Sequence, residues 1–254
     1  MGGGPLGGRG GSDVVMFTPT APNRTNYLEL SFADPYTSMS AMREILTGHD
    51  GIAMLVLQPT DAGALYDERQ REGLELLPLI RIQFPAEGTI PAMNAEVIIP
   101  VPRTQPLLTN AARVWPLEAL GDPALARHPN TARRWSRVTA VASDSAFDAT
   151  VEFHATRLFG IRAQRTGTGV ATLCPGTVEL RWMSESAFRA QHPAMELPPG
   201  SRLPCAVAVT IEVEDLAGVR RHLQANAVPH RGESAAVIVR ARDGAGLNFE
   251  FVER

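Results

Sequence analysis

Val138-Thr-Ala-Val-Ala-Ser-Asp144 lines up, residue for residue, with Val209-Thr-Ile-Glu-Val-Glu-Asp215. Each stretch is rich in β-branched residues, which fit a pleated surface, and each ends in Asp. An apolar pattern at helical spacing follows in both copies. Phe147, Val151, His154, Leu158 and Phe159 recur at steps of three and four before Gly160, and Leu216, Val219, His222 and Leu223 do so before Asn226. Each copy therefore reads as a strand and then a helix. A third copy sits upstream: Met54-Leu-Val-Leu57 reads as a strand, Asp61 closes the segment, and Ala64, Leu65, Glu68 and Glu72 lead to Gly73 by helical steps.

Working outward, the copies also end alike. Thr177–Trp182, Leu247–Phe251 and Ala95–Ile99 are alternating or apolar strands, each with one Glu. Asp61 to Glu96, Asp144 to Glu179 and Asp215 to Glu250 are each 35 residues. Asn26-Tyr-Leu-Glu29-Leu30 resembles Asn248-Phe-Glu250-Phe251 and marks a partial fourth copy, with nothing before it to supply a strand and helix. The unit is strand–helix–strands, about 50 residues long, present three and a half times. Seven glycines among the first eleven residues predict a disordered leader over 1–16. Pro100–Arg134, rich in Pro, Arg and Asn, reads as a connection holding one short helical candidate, Leu117–Arg127. His192–Pro204 is a second Pro-rich loop. The expected organisation is a leader 1–16, a reduced N-terminal domain 17–105, a connection 106–135 and a complete C-terminal domain 136–254.

Composition narrows the chemistry. Hydrophobic residues make up 44% and charged residues 20%, as in a folded globular chain, and no apolar run is long enough to cross a bilayer. A net charge of −3 provides no general basic field for nucleic acid. All 24 basic residues are Arg. Without Lys, Schiff-base and PLP chemistry are excluded, as is a Walker-type phosphate loop. Two cysteines, Cys174 and Cys205, are too few for a disulfide framework, and a reducing, cytoplasmic setting is the default expectation.

The repeat, together with Ala126-Arg-His128-Pro129-Asn130-Thr-Ala132, Arg157-Leu-Phe159-Gly160, Pro175-Gly176 and Gly246-Leu-Asn-Phe-Glu250, resembles the vicinal oxygen chelate superfamily, in its glyoxalase-like branch. The resemblance implies an α+β fold of tandem βαβββ modules that roll into half-barrel domains around a small-molecule cleft. Metal-dependent members take ligands from the first strand of a module, usually His, and from the last strand, usually Glu. Glu250 matches the last-strand carboxylate. The first-strand positions, seven residues before the strand-ending Asp, are Met54, Arg137 and Ala208, none of which binds a divalent metal. A divalent metal cofactor is thus implied by the family while its first-strand ligands are missing.

Strand alternation orients the candidate site. Leu247, Phe249 and Phe251 share one face of the last strand, and Asn248, Glu250 and Val252 the other. Val178, Leu180 and Trp182 oppose Thr177, Glu179 and Arg181 in the same way. With helices on the apolar face, Glu179 and Glu250 are expected to converge in one cleft as acid–base carboxylates, with Arg137, Arg181 and Asn248 as substrate-binding residues. A structural Arg–Glu salt bridge is the competing reading. His154 and His222 read as helix-surface or packing residues, His128 as a backbone-orienting residue, and His49, His192 and His230 have no assigned role. Arg127, Arg133, Arg134 and Arg137 form a basic cluster in the connection, with too little aromatic interleaving for nucleic acid. Thr166-Gly-Thr-Gly169 reads as a hairpin turn. The resemblance implies a lyase, isomerase or dioxygenase acting on a small oxygenated metabolite. Its rivals are a bleomycin-resistance type of protein that sequesters a ligand, and a degenerate relative that keeps only a homodimerisation surface. The expected occupant is a small anionic molecule, with no nucleic acid and no membrane partner.

Overall fold

Two antiparallel strands at the centre of the C-terminal unit organise the fold. In the computed structural model, which describes residues 11–16, 27–32, 51–52, 54–86, 92–101, 107–115, 127–232 and 235–254, these are β7 (Ala132–Ala142) and β11 (Cys205–Val213). Their register pairs Val138 with Val209, Arg137 with Thr210 and Thr139 with Ala208. Val138 and Val209 are equivalent in the repeat, so a pseudo-twofold axis passes between them. Extra residues bulge at equivalent positions on the two strands, Ser136 in β7 and Val207 in β11, and β7 carries a further one, Arg133, near its start. The repeat read from sequence is therefore a symmetry of the sheet.

Each central strand is the first strand of a module. After β7 come α2 (Phe147–Glu152, continuing as a π-helix through Phe153–Phe159), β8 (Gln164–Gly167), β9 (Val170–Leu173) and β10 (Glu179–Ser184). Next are α3 (Glu185–Gln191), β11, α4 (Leu216–Ala225), β12 (Ala236–Val239) and β13 (Asn248–Glu253). The seven strands run in the order β12-β13-β11-β7-β10-β9-β8, and each last strand lies parallel to its own first strand. In the second module an isolated bridge from Arg231 to Ile238 stands where the first has β8.

Alternation decides the faces. Leu180 and Trp182 of β10, Val209 and Ile211 of β11 and Phe251 of β13 are buried with Phe147, Val151 and Ala155 of α2 and Leu216, Val219 and Leu223 of α4. Trp182 is wholly buried, as is His154, whose ring lies 4.7 Å from the indole and whose Nδ1 hydrogen-bonds the Thr150 carbonyl. His154 is thus a core residue, and burial pushes its pKa down. Asp61 and Asp215 cap α1 (Ala62–Arg71) and α4 by accepting from Ala64 N and Ala217 N. Asp144 does something else: it accepts from the amide and hydroxyl of Ser186, tying the end of β7 to α3.

The N-terminal unit is a single module: β3 (Leu55–Leu57), α1, β4 (Ile80–Phe84), β5 (Met93–Ile98) and β6 (Thr109–Trp115), in the order β3-β6-β5-β4. Ile52, Leu55 and Leu107 join the core beneath α2. Arg69 of α1, also buried, reaches the end of that helix, where Nη1 donates to the Thr156 carbonyl. Gly160, at φ +64°, closes α2 against it; a Cβ there would stand 2.8 Å from Arg69 Nη2.

Four sequence readings change. Gly11–Met16, inside the expected leader, is a strand (β1) paired with β2 (Tyr27–Phe32). Thr109–Trp115, inside the expected connection, is the last strand of the N-terminal module. Glu96 consequently lies on the third strand, β5, and its 35-residue offset is a coincidence. Finally, β7 begins at Ala132, so Arg133, Arg134 and Arg137 are strand residues. The helical candidate Leu117–Arg127 lies outside the described residues except for Arg127, as does His49.

Candidate functional site

Opposite the helices, the polar face of the sheet carries a row read directly from the strand register: Glu179 on β10, Arg137 on β7, Thr210 on β11 and Glu250 on β13. Side chains paired across strands point the same way, so the four form one stripe. Glu179 and Glu250 stand three strand spacings apart, about 14 Å along the sheet. They share a face, but they are no carboxylate pair, and each has its own partners. Arg137 Nε donates to Glu179 Oε1 at 2.8 Å, and Arg181 Nε lies 3.4 Å from the same oxygen without an aligned hydrogen bond. Glu250 Oε2 accepts from Thr210 Oγ1 at 2.6 Å.

The bulge at Ser136 sets what stands beside that row. By simple alternation Arg134 and Arg137, three residues apart, would face opposite ways; one extra residue between them puts both on the polar face. Arg134 grips Glu212 with two hydrogen bonds, 2.6 and 2.9 Å, and Arg254 adds a third contact at 2.9 Å. The Glu212 side chain is only 8% exposed, and its bond to Arg134 raises the pKa of that guanidinium. Arg134, Arg137, Glu179, Thr210, Glu212 and Arg254 line an open cleft of about 350 Å³, with Cys174 and Thr177 at its side, and Arg181 and Glu250 lie outside this lining.

The rest of this face is filled by the chain itself. Val141, Val170, Met183 and Val207 form a second core with Phe188 of α3 and with Met195, Leu197 and Leu203 from the Pro-rich segment 192–204. Asn248 fastens that segment. It is wholly buried, its Nδ2 donates to the Glu196 and Val207 carbonyls, and its Oδ1 accepts from the amides of Glu196 and Ala241. Every hydrogen bond an amide side chain can make here is used within the fold. Asn248 therefore holds structure together, and the expectation that it binds substrate is corrected. The register shows why the analogy misled. Glu179 stands beside Arg137 while Asn248 stands beside Ala208, so Asn248, not Glu250, is the structural counterpart of Glu179.

Two side-chain nitrogens, Arg181 Nε and His192 Nε2, are sealed from solvent and make no hydrogen bond among the described residues, although Arg181 Nε keeps its 3.4 Å ion pair with Glu179. His192 stacks on Phe188 at 5.6 Å. Burial pushes the pKa of each downward; around His192, Glu250 pulls the other way while Arg181 and Arg137 add to the fall. Sequence reasoning gave His192 no role because a loop residue beside Gln and Pro carries no periodic signal. Glu212 and Thr210 were likewise given no role, although their alternation with Val209, Ile211 and Val213 is a signal that places them on the polar face.

The divalent metal implied by the family resemblance does not fit these residues. Its first-strand positions hold Arg137 and Ala208, and the last-strand neighbours are an ion-paired Glu179 and a fully engaged Asn248. Among the described residues no group of three His, Cys, Asp or Glu side chains is arranged to hold a metal ion. A fixed guanidinium charge beside Glu179 also repels a cation.

No family model matches the chain, and no curated protein matches it in sequence. Solved structures do match. A hypothetical protein from Staphylococcus aureus aligns with 100% of this chain and 89% of its own, at 10% identity and a TM-score of 0.67. A mutant of 4-hydroxymandelate synthase from Streptomyces coelicolor aligns with 96% of this chain and 81% of its own, at 14% identity and a TM-score of 0.52. The chain has the α+β, tandem-module fold of the vicinal oxygen chelate type.

Proposed function

We propose that the C-terminal unit binds a small, oxygenated, anionic molecule on the polar face of its sheet, without a metal. The observation that carries this is the cleft lined by Arg134, Arg137 and Arg254, whose carboxylates Glu179 and Glu212 are already held by those arginines. A ligand anion competes with Glu179 and Glu212 for guanidinium groups that the fold already aligns, Arg134 and Arg137 part-buried and Arg254 exposed at the rim. This favours the sequestering kind of protein over the lyase, isomerase or dioxygenase. The enzyme reading keeps one specific support: on the same sheet face as the cleft, Glu250 Oε2 accepts from Thr210 Oγ1, and its other oxygen has no hydrogen-bond partner among the described residues.

Cys174 supplies the test. It is exposed and lines the cleft, whereas Cys205 is buried and its thiol pKa is pushed up by burial. Alkylation of Cys174 by anionic iodoacetate and by neutral iodoacetamide reports the local potential. The expected rate ratio is several-fold above that of N-acetylcysteine at low salt and falls in Arg137→Gln and in Arg254→Gln. A ratio equal to that of the free thiol, unchanged in both variants, overturns the reading.

A further inference from the structure

A second cavity, of about 160 Å³, lies apart from the cleft and shares no lining residue with it. Its walls are Pro229, His230 and Arg231 from the chain after α4, and Arg240, Arg242 and Asp243 from the chain after β12. One backbone contact joins the two stretches: Arg231 and Ile238 exchange main-chain hydrogen bonds of 2.8 and 2.6 Å. Extending that antiparallel bridge by two residues sets Pro229 against Arg240, and residues two apart on a strand share a face. Arg231 and Arg240 are therefore diagonal neighbours on one wall, a spacing of about 7–8 Å. Two fixed positive charges so placed repel each other unless an anion lies between them. Their donors are not used up. Arg231 is exposed and has no carboxylate partner among the described residues. Arg240 uses Nε on the Ala194 carbonyl, and Arg242 uses Nε and Nη2 on Glu196, so both keep terminal N–H groups for a ligand. His230 donates its Nδ1–H to the Val228 carbonyl at 2.9 Å, which leaves Nε2. Asp243 and Glu196 oppose the three guanidinium groups and leave one positive charge uncompensated.

We propose that this cavity is a second anion site, which takes a phosphate group as the free ion or as the end of a small phosphate ester. Size sets the upper limit. The cavity is about half the volume at which sites for drug-sized molecules begin, roughly 300 Å³, and holds one tetrahedral group. The directions of the donors choose among anions. A carboxylate offers two oxygens in one plane, which a single guanidinium fork satisfies. A phosphate group offers three oxygens that point apart, and arginines arriving from two stretches of chain can each meet a different one. Its charge at neutral pH, about −1.5 to −2, also exceeds what a carboxylate brings to the uncompensated guanidinium. Glu196 and the Ala194 carbonyl already hold Arg242 and Arg240 in place, so Arg231 is the group that closes on the anion. His230 adds an N–H from Nε2 when its ring is imidazolium.

The probes are inorganic phosphate and glycerol 3-phosphate, titrated into the ¹⁵N-labelled full chain with ionic strength held constant by sodium chloride. Backbone amides of 230–232 and 240–244 should shift and saturate with phosphate. Arg231→Gln and Arg240→Gln should each weaken phosphate about tenfold, as expected for losing one hydrogen bond between charged groups. Asp243→Asn, which removes a repelling carboxylate, should tighten it a few-fold. Arg137→Gln, in the separate cleft, should leave these shifts as they are. The ester binding more tightly than the free ion assigns the site to an esterified ligand; equal or weaker binding assigns it to phosphate itself. The proposal is overturned if these amides do not move, if chloride alone reproduces their shifts, or if Arg231→Gln and Arg240→Gln bind phosphate as the parent does. Loss of the shifts in Arg137→Gln overturns it as well, because it moves the anion to the cleft.

Discussion

In the β7–β10 module the first-strand residue Arg137 stands beside Glu179, an ion pair at 2.8 Å that faces the cleft. In the β11–β13 module the same place holds Ala208 beside Asn248, which is wholly buried and bonded to three other residues. The two modules share a first strand, a bulge and a helix-covered face. They differ in what lies on the other face, where α3 and segment 192–204 fill the end near Asn248 and leave the end near Glu179 open. The comparison teaches that a fold's polar face is not by itself a site. Whether a polar side chain there meets ligand or backbone depends on where the intervening chain chooses to pack.

If the modules are equivalent on the helix-covered face, matching core deletions should cost the same. Trp182→Ala and Phe251→Ala should each destabilise by about 3–5 kcal/mol in denaturant unfolding; a cost below about 1 kcal/mol for either one breaks the equivalence. On the polar face the modules should part. Asn248→Ala leaves several buried amides and carbonyls unpaired and should cost about 3 kcal/mol, whereas Glu179→Ala, a part-exposed ion-pair partner, should cost less than about 1 kcal/mol. Equal costs would mean that both positions do the same job.

Smaller effects sharpen the picture of how the N-terminal module docks. Gly160→Ala forces a left-handed backbone onto a residue with a Cβ and drives that carbon toward Arg69, at a cost of about 1–2 kcal/mol. Pairing it with Arg69→Ala should recover part of the loss, and no recovery would remove Arg69 from the contact. The smallest effect is a slope. Burial lowers the pKa of His154 below that of an unfolded histidine, so the unfolded chain binds the extra proton first as pH falls. Stability should therefore be full above about pH 6.5 and decline below it, by at most about 1.4 kcal/mol per pH unit for one proton. His154→Phe should flatten that slope, and an unchanged slope would place the proton elsewhere.

Much of the fold is legible in the sequence because its repeat is carried by local patterns. Val138 and Val209 stand opposite each other, Gly160 ends a helix in the left-handed conformation, and Thr168-Gly169 turns between β8 and β9. What depends on long-range register was not legible. The equal offsets to Glu96, Glu179 and Glu250 count residues through loops of different shape, and they align a third strand with two fourth strands. The bulge at Ser136 brings Arg134 to the polar face, yet nothing in Arg133-Arg-Trp-Ser136 announces a bulge. For the candidate site, alternation placed Glu179, Arg181 and Glu250 on the correct face. It could not foresee that Asn248, on that same face, would be covered by a segment whose own sequence reads as a Pro-rich loop.

The central proposal is that this cleft binds an anion through guanidinium groups, at positions where the family resemblance implies metal ligands. Elemental analysis of the purified, dialysed protein tests it most directly. The expected result is less than about 0.1 equivalent of zinc, iron, manganese or nickel per chain, because Arg137 and Ala208 cannot supply the first-strand ligands. About one equivalent of any of these metals, retained through dialysis and lost in Glu250→Gln, would contradict it.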